Sequence, residues 1–107
     1  MRPLVVEVAE ASSGRAVVVK LAGEFDLSVE KLFSEVVTDG VVQDGHALVV
    51  LDMAEITFLD SSGIRALLMA RRQALASGTR LTLRRPSSPV RRVLELTAVA
   101  DAFDIDA

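Results

Sequence analysis

The sequence predicts an α/β fold: a single domain with a mixed sheet of four to five strands and helices packed against it. After an opening pair of strands, helix-like and strand-like stretches alternate along the chain. One run, Ala-Leu-Val-Val-Leu at residues 47–51, is apolar throughout, the pattern of a central strand buried on both faces. The chain has 107 residues, 50% hydrophobic and 25% charged, which makes one compact domain and leaves no room for a second core.

Residues 4–10 alternate Leu4, Val6 and Val8 with Val5, Glu7 and Ala9, a strand with one more apolar face. Ser12-Ser13-Gly14 reads as a hairpin turn into a second strand at residues 16–22, where Val17, Val19 and Leu21 share a face opposite Lys20. A first helix is expected to start near Ser28 as N-cap, with Leu27 stapled against Leu32. Val29, Leu32, Phe33, Val36 and Val37 fall on one helical stripe, and Gly40 or Gly45 ends the segment. The apolar strand at 47–51 leads through a short connection to Asp60-Ser61-Ser62-Gly63, which opens a second helix running to about residue 77 and closed by Gly78. Residues 80–84 alternate again, with Leu81 and Leu83 facing inward. A third helix starts at Ser88 with Pro89 in its first position and carries Val90, Val93, Leu94 and Thr97 on one face. Residues 101–105 are a candidate edge segment. The strands at 47–51 and 80–84, joined by the second helix, make a right-handed parallel crossover, whereas the opening hairpin is antiparallel.

Composition excludes several classes of function. The chain has no cysteine, which removes disulfides, thiolate zinc sites, iron–sulfur clusters and cysteine nucleophiles. Its start, Met1-Arg2-Pro3 and an apolar run broken by Glu7 and Glu10, is too short and too early charged for a signal peptide. No stretch approaches a membrane span. A cytoplasmic protein without direct membrane insertion is the expectation. Residues 1–60 hold four Lys or Arg against eleven Asp or Glu, while residues 61–107 hold eight arginines against four acids. That polarity fits an oriented encounter with a charged protein partner, and fits equally well a set of solvated Arg-rich helix surfaces. Nucleic acid is not expected as a partner: the net charge is −3, and the four aromatics are all phenylalanines at core-like positions.

The chemistry concentrates where buried strands turn into helices. Asp60-Ser61-Ser62-Gly63 is a helix start, with unsatisfied backbone N–H groups and the positive end of the helix dipole. Asp, Ser and Gly suit a simple cap there, and they also suit a phosphate. Gly23-Glu24-Phe25-Asp26 occupies the equivalent place before the first helix. Gly23 suits a bend or a close backbone approach, Phe25 suits the core, and Asp26 suits a cap that also faces a partner.

These two segments, with the apolar strand between them, resemble the STAS family, and within it the bacterial anti-sigma factor antagonists. Asp60-Ser61-Ser62-Gly63-Ile64 lies about one helix and one strand after Gly23-Glu24-Phe25-Asp26, as in that family, and Ser88-Pro89-Val90-Arg91-Arg92-Val93-Leu94 is similar to its third-helix start. The likeness runs from Val5 to about Phe103. It implies that Ser61 accepts a phosphate from an anti-sigma factor that is also an ATP-dependent serine-protein kinase. It implies that the unphosphorylated chain binds that anti-sigma factor, releases a sigma factor, and is restored by a phosphoserine phosphatase. Gly23, Glu24, Asp26, Asp60, Ser62, Gly63 and Arg65 would contribute to the partner-binding surface. Arg65 departs from the best-known antagonists, which often have glycine there, and so alters the docking surface. No cofactor or resident metal is implied, and homodimerisation is left open.

A second reading keeps the fold without the switch: a docking subunit of a signalling or membrane-transport assembly. An enzyme is the reading from another class. His46 is the only histidine, and the chain has neither a Gly-x-Ser-x-Gly elbow nor a glycine-rich phosphate loop with its lysine. Arg71 falls within the apolar arc of the second helix, where its stem can pack while its charged end stays in water.

Overall fold

The structure, a computed structural model, describes residues 4–10 and 16–106; the Ser12-Ser13-Gly14 turn lies outside the described residues. Strand β1 (Val5–Glu10) pairs antiparallel with β2 (Ala16–Phe25), and β2 turns Val17, Val19 and Leu21 inward as its alternation predicts. β2 continues three residues past the expected end and takes in Gly23-Glu24-Phe25. β3 (Leu48–Leu59), β4 (Arg80–Arg84) and β5 (Asp104–Asp106) follow in parallel, giving a five-stranded mixed sheet in the order β1-β2-β3-β4-β5.

β3 is the main correction to the expected layout. Residues 52–59, read as a connection, are strand. Their inward positions step irregularly: Val49, Leu51 and Met53 alternate, but Ile56 and Leu59 each follow after three residues. The register against β2 shifts between Lys20 and Ala22 and again between Gly23 and Glu24, and each shift places one extra residue on β3. Such bulges break the two-residue period that announces a strand. Gly23 sits at the second shift with φ +106°, a conformation that favours glycine.

The segment between β2 and β3 is not one regular helix. It runs as a 3-10 turn (Leu27–Val29), helix α1 (Glu30–Phe33), a π-helical turn (Ser34–Thr38) and a second 3-10 turn (Val41–Asp44). Its cap is Asp26 rather than Ser28. The expected Leu27–Leu32 staple does not form, since these side chains are 65% and 42% exposed. Instead Val29, Phe33, Val37 and Val41 are buried, at a constant spacing of four. In an ideal α-helix each such step drifts about 40° around the axis, so the wider π turn is what keeps all four on the core.

Helix α2 (Ser61–Ser77) covers the sheet with Ile64, Ala66, Leu67, Ala70 and Ala74. Helix α3 (Ser88–Leu96) has Ser87 as its N-cap residue, so Pro89 is the second helical residue rather than the first. Ser87 pins this end to β3: its Oγ donates to the Ile56 carbonyl at 2.6 Å and its N–H to the Met53 carbonyl at 3.3 Å. Val90 and Leu94 join the same buried cluster as Leu51, Met53 and Ile56, whereas Thr97 is exposed and bonds back to the Val93 carbonyl. A 3-10 turn (Ala100–Ala102) then leads to β5, in place of the longer edge segment expected.

Candidate functional site

Strands β2 and β3 end together. Phe25 pairs with Leu59, and the Asp60 N–H donates to the Phe25 carbonyl at 3.4 Å. The residues that follow, Asp26 and Asp60, therefore lie side by side at the C-terminal ends of these two neighbouring strands. Both do the same work. The Asp26 carboxylate accepts from the Ser28 N–H at 3.0 Å and from the Ser28 hydroxyl at 2.5 Å. The Asp60 carboxylate accepts from the Ser62 N–H at 2.9 Å and the Gly63 N–H at 3.1 Å. Each is in extended conformation, as a cap residue is; Asp26 satisfies one backbone donor of its helix start and Asp60 satisfies two.

Ser61 and Ser62 differ in role. Ser62 is half-buried and its N–H is engaged by the cap, whereas Ser61 is exposed in the first turn of α2. Among the described residues nothing hydrogen-bonds the Ser61 hydroxyl. Gly63 is buried because α2 presses onto the strand ends: a Cβ there would lie 2.3 Å from Leu59 Cδ1 and 2.9 Å from the Phe25 carbonyl oxygen. Gly23 is likewise buried, so both glycines shape the backbone beneath the site, while Glu24 is half-buried at the end of β2.

Arg65 stands one turn beyond Ser61 and is held by a partner the sequence did not suggest. Its guanidinium forks onto Glu30 of α1, Nε to Oε1 at 3.3 Å and Nη2 to Oε2 at 3.2 Å. Two apolar side chains flank the site, Leu27 beside Asp26 and Phe58 next to Leu59. Phe58 is 44% exposed, against the expectation that every phenylalanine packs in the core; Phe25 and Phe33 do pack there, with ring centroids 4.8 Å apart. Phe58 was missed because it sits beyond a bulge, where alternation no longer assigns faces. Glu30 was missed because the irregular coil of its segment, not a helical repeat, turns it toward α2.

Away from the site, Asp52 is buried on β3 and bonded to Arg85 and to the Ala54 N–H. Burial pushes its carboxyl pKa up, but the Arg85 and Ala54 hydrogen bonds and the charges of Arg85 and Arg84 outweigh that and hold it below the usual carboxylate range. Arg85 adopts φ +48° at this position. His46 is half-buried, and its carbonyl accepts from the Thr79 hydroxyl at 3.0 Å. Arg71 is half-buried on α2. No group of three or more His, Asp or Glu side chains among the described residues is placed to hold a metal, and no helix among them is long and apolar enough to cross a membrane.

The fold recurs in solved proteins. The unphosphorylated anti-sigma factor antagonist SpoIIAA is 22% identical, with 96% of this chain and 89% of that chain covered and a TM-score of 0.77. The phosphorylated form of the Bacillus cell fate determinant SpoIIAA gives 21% identity, 96% and 92% coverage and a TM-score of 0.71. A candidate anti-sigma factor antagonist of Thermotoga maritima gives 20% identity, 95% and 86% coverage and a TM-score of 0.84. No curated protein matches the sequence. The family model described as "STAS domain" matches residues 7–107, from within the first strand through the last, and on that match the chain belongs to the STAS domain family.

Proposed function

We propose that this chain is an anti-sigma factor antagonist whose docking surface is the paired strand ends and whose switch is phosphorylation of Ser61. The single observation that carries the reading is the exposed, unengaged Ser61 hydroxyl at the start of a helix whose cap is formed by its neighbours. A free hydroxyl there can enter a kinase active site without dismantling the cap. The structural likeness to SpoIIAA in both phosphorylated and unphosphorylated forms supports the same reading.

The switch is local and electrostatic. Unphosphorylated, the surface offers Leu27 and Phe58 as apolar contacts around Asp26, Asp60, Ser61 and Arg65, with Glu24, Ser62, Gly23 and Gly63 shaping it. A phosphate adds about −1.5 to −2 charge at pH 7 beside two carboxylates. The helix dipole and free N–H groups tolerate that charge, so the domain stays folded while docking loses to repulsion and desolvation. The partner is an anti-sigma factor that is also an ATP-dependent serine-protein kinase, and a phosphoserine phosphatase resets the switch. The chain itself binds rather than turns over substrate, and it acts in the cytoplasm, where the kinase finds ATP.

The test is phosphotransfer with candidate kinases from the same cell, followed by mass mapping. Phosphate is expected on Ser61, and Ser61→Ala is expected to abolish modification while retaining binding. Phosphate on Ser62, or on neither serine, overturns the assignment. Co-purification with a permease and no kinase would favour the docking-subunit reading instead.

A further inference from the structure

We propose that Arg65 reads the charge state of Ser61, exchanging Glu30 for the phosphate and so carrying the signal from α2 into α1. The inference rests on Ser61 as the phosphoacceptor. Ser61 and Arg65 are four residues apart on α2, hence one turn apart on the same face, with the acidic group N-terminal as the helix prefers. Both are exposed, and the Arg65 side chain keeps 64% of its surface in solvent while bridging to Glu30. Glu30 keeps 28%, so the pair stands open to water on its arginine side, where a competing anion can reach it. A phosphoserine competes with a larger charge and three acceptor oxygens, and a guanidinium binds such a group in a two-pronged fashion.

The surroundings favour the exchange. The Asp26 and Asp60 carboxylates already accept backbone N–H groups at the two helix starts, and they repel an added anion. Glu30 on α1, already against Arg65, adds to that repulsion, so the cation one turn away decides where the phosphate settles. No covalent bond changes in this step; one ion pair replaces another. What it releases is Glu30, the first residue of α1, which also borders a cavity of about 380 Å³ between the π-helical turn and α2, lined by Ser34, Asp39, Met69 and Arg72. The event at Ser61 thereby reaches a second surface without unfolding anything.

The experiment installs phosphoserine at position 61 during synthesis, so no kinase is needed, and compares the otherwise native chain with Arg65→Gln by ³¹P and ¹H–¹⁵N NMR. With Arg65 present, the phosphate's second titration midpoint is expected to lie lower by about half a unit or more. The amides of residues 30–34 are expected to shift on phosphorylation only when Arg65 is present, and Glu30→Gln without phosphate is expected to reproduce those shifts. Equal midpoints in the two chains, or amides of α1 that ignore the phosphate while Arg65 is present, overturn the exchange. A kinase assay that leaves Ser61 unmodified overturns the function proposed above instead, and the two failures are read separately.

Discussion

Gly63 and Ala98 show how single residues set local geometry here. At Gly63 the obstacle to a side chain is partly the Leu59 side chain, which can move, and partly the Phe25 carbonyl, which cannot. Gly63→Ala is therefore expected to lower stability by about 1–3 kcal/mol, read from the urea midpoint. A midpoint equal to the parent's would show that the strand ends yield. Ala98 makes the opposite case. Helices α2 and α3 close with the same pair of backbone bonds: Thr79 N–H to Ala74 and Gly78 N–H to Leu75 in one, Val99 N–H to Leu94 and Ala98 N–H to Glu95 in the other. The left-handed residue is Gly78 at φ +70° in α2 but Ala98 at φ +58° in α3. Ala98→Gly is expected to stabilise the domain by about 0.5–1 kcal/mol, since it removes the Cβ penalty of that conformation. Thermal unfolding checks it, and an unchanged or lower Tm counts against it.

Elements were legible where their period was regular. β4 alternates in sequence, α2 has a capped start and a glycine close, and the bounds of both follow from the residues; β2 alternates over residues 16–22, but its last three residues, beside the bulges, were not announced. The second half of β3 was not legible, because two bulges turn a period of two into steps of three. The first helical segment was half legible. Its apolar stripe is real, but a constant period of four drifts around an ideal α-helix, and the π turn that accommodates it has no residue signature of its own. The motif at Asp60–Gly63 and its neighbour at Gly23–Asp26 were legible as helix starts; the Arg65–Glu30 bridge was not, since it depends on how α1 leans on α2. The anchor of that irregular segment is Phe33, fully buried against Phe25. Phe33→Ala is expected to cost about 3–5 kcal/mol, and with it the placement of Glu30. Loss of the α1 amide dispersion while α2 stays protected from hydrogen exchange would localise the damage to this element.

Across the whole molecule, the acidic first half and basic second half of the sequence do not form two separate surfaces. Glu30 meets Arg65 and Asp52 meets Arg85, so part of the opposition between the halves is used inside the fold. The same pairing fixes the acid response. Asp52 has a folded pKa held below its ordinary value, so it adds stability above roughly pH 4 and loses it as pH falls through the folded value. Asp104, lowered mainly by its hydrogen bond to Arg80, acts with the same sign. Stability measured by urea titration is expected to fall as pH drops below about 4, and Asp52→Asn is expected to flatten that slope while lowering stability at pH 7. The two extra residues on β3 have a larger consequence still, because facing in a strand is a matter of odd and even. One insertion alone would turn Leu59 outward and swing the serine around to the back of the domain; a second cancels the reversal. Removing both would keep the serine at the front but draw it back by about 6–7 Å, out of line with its neighbour.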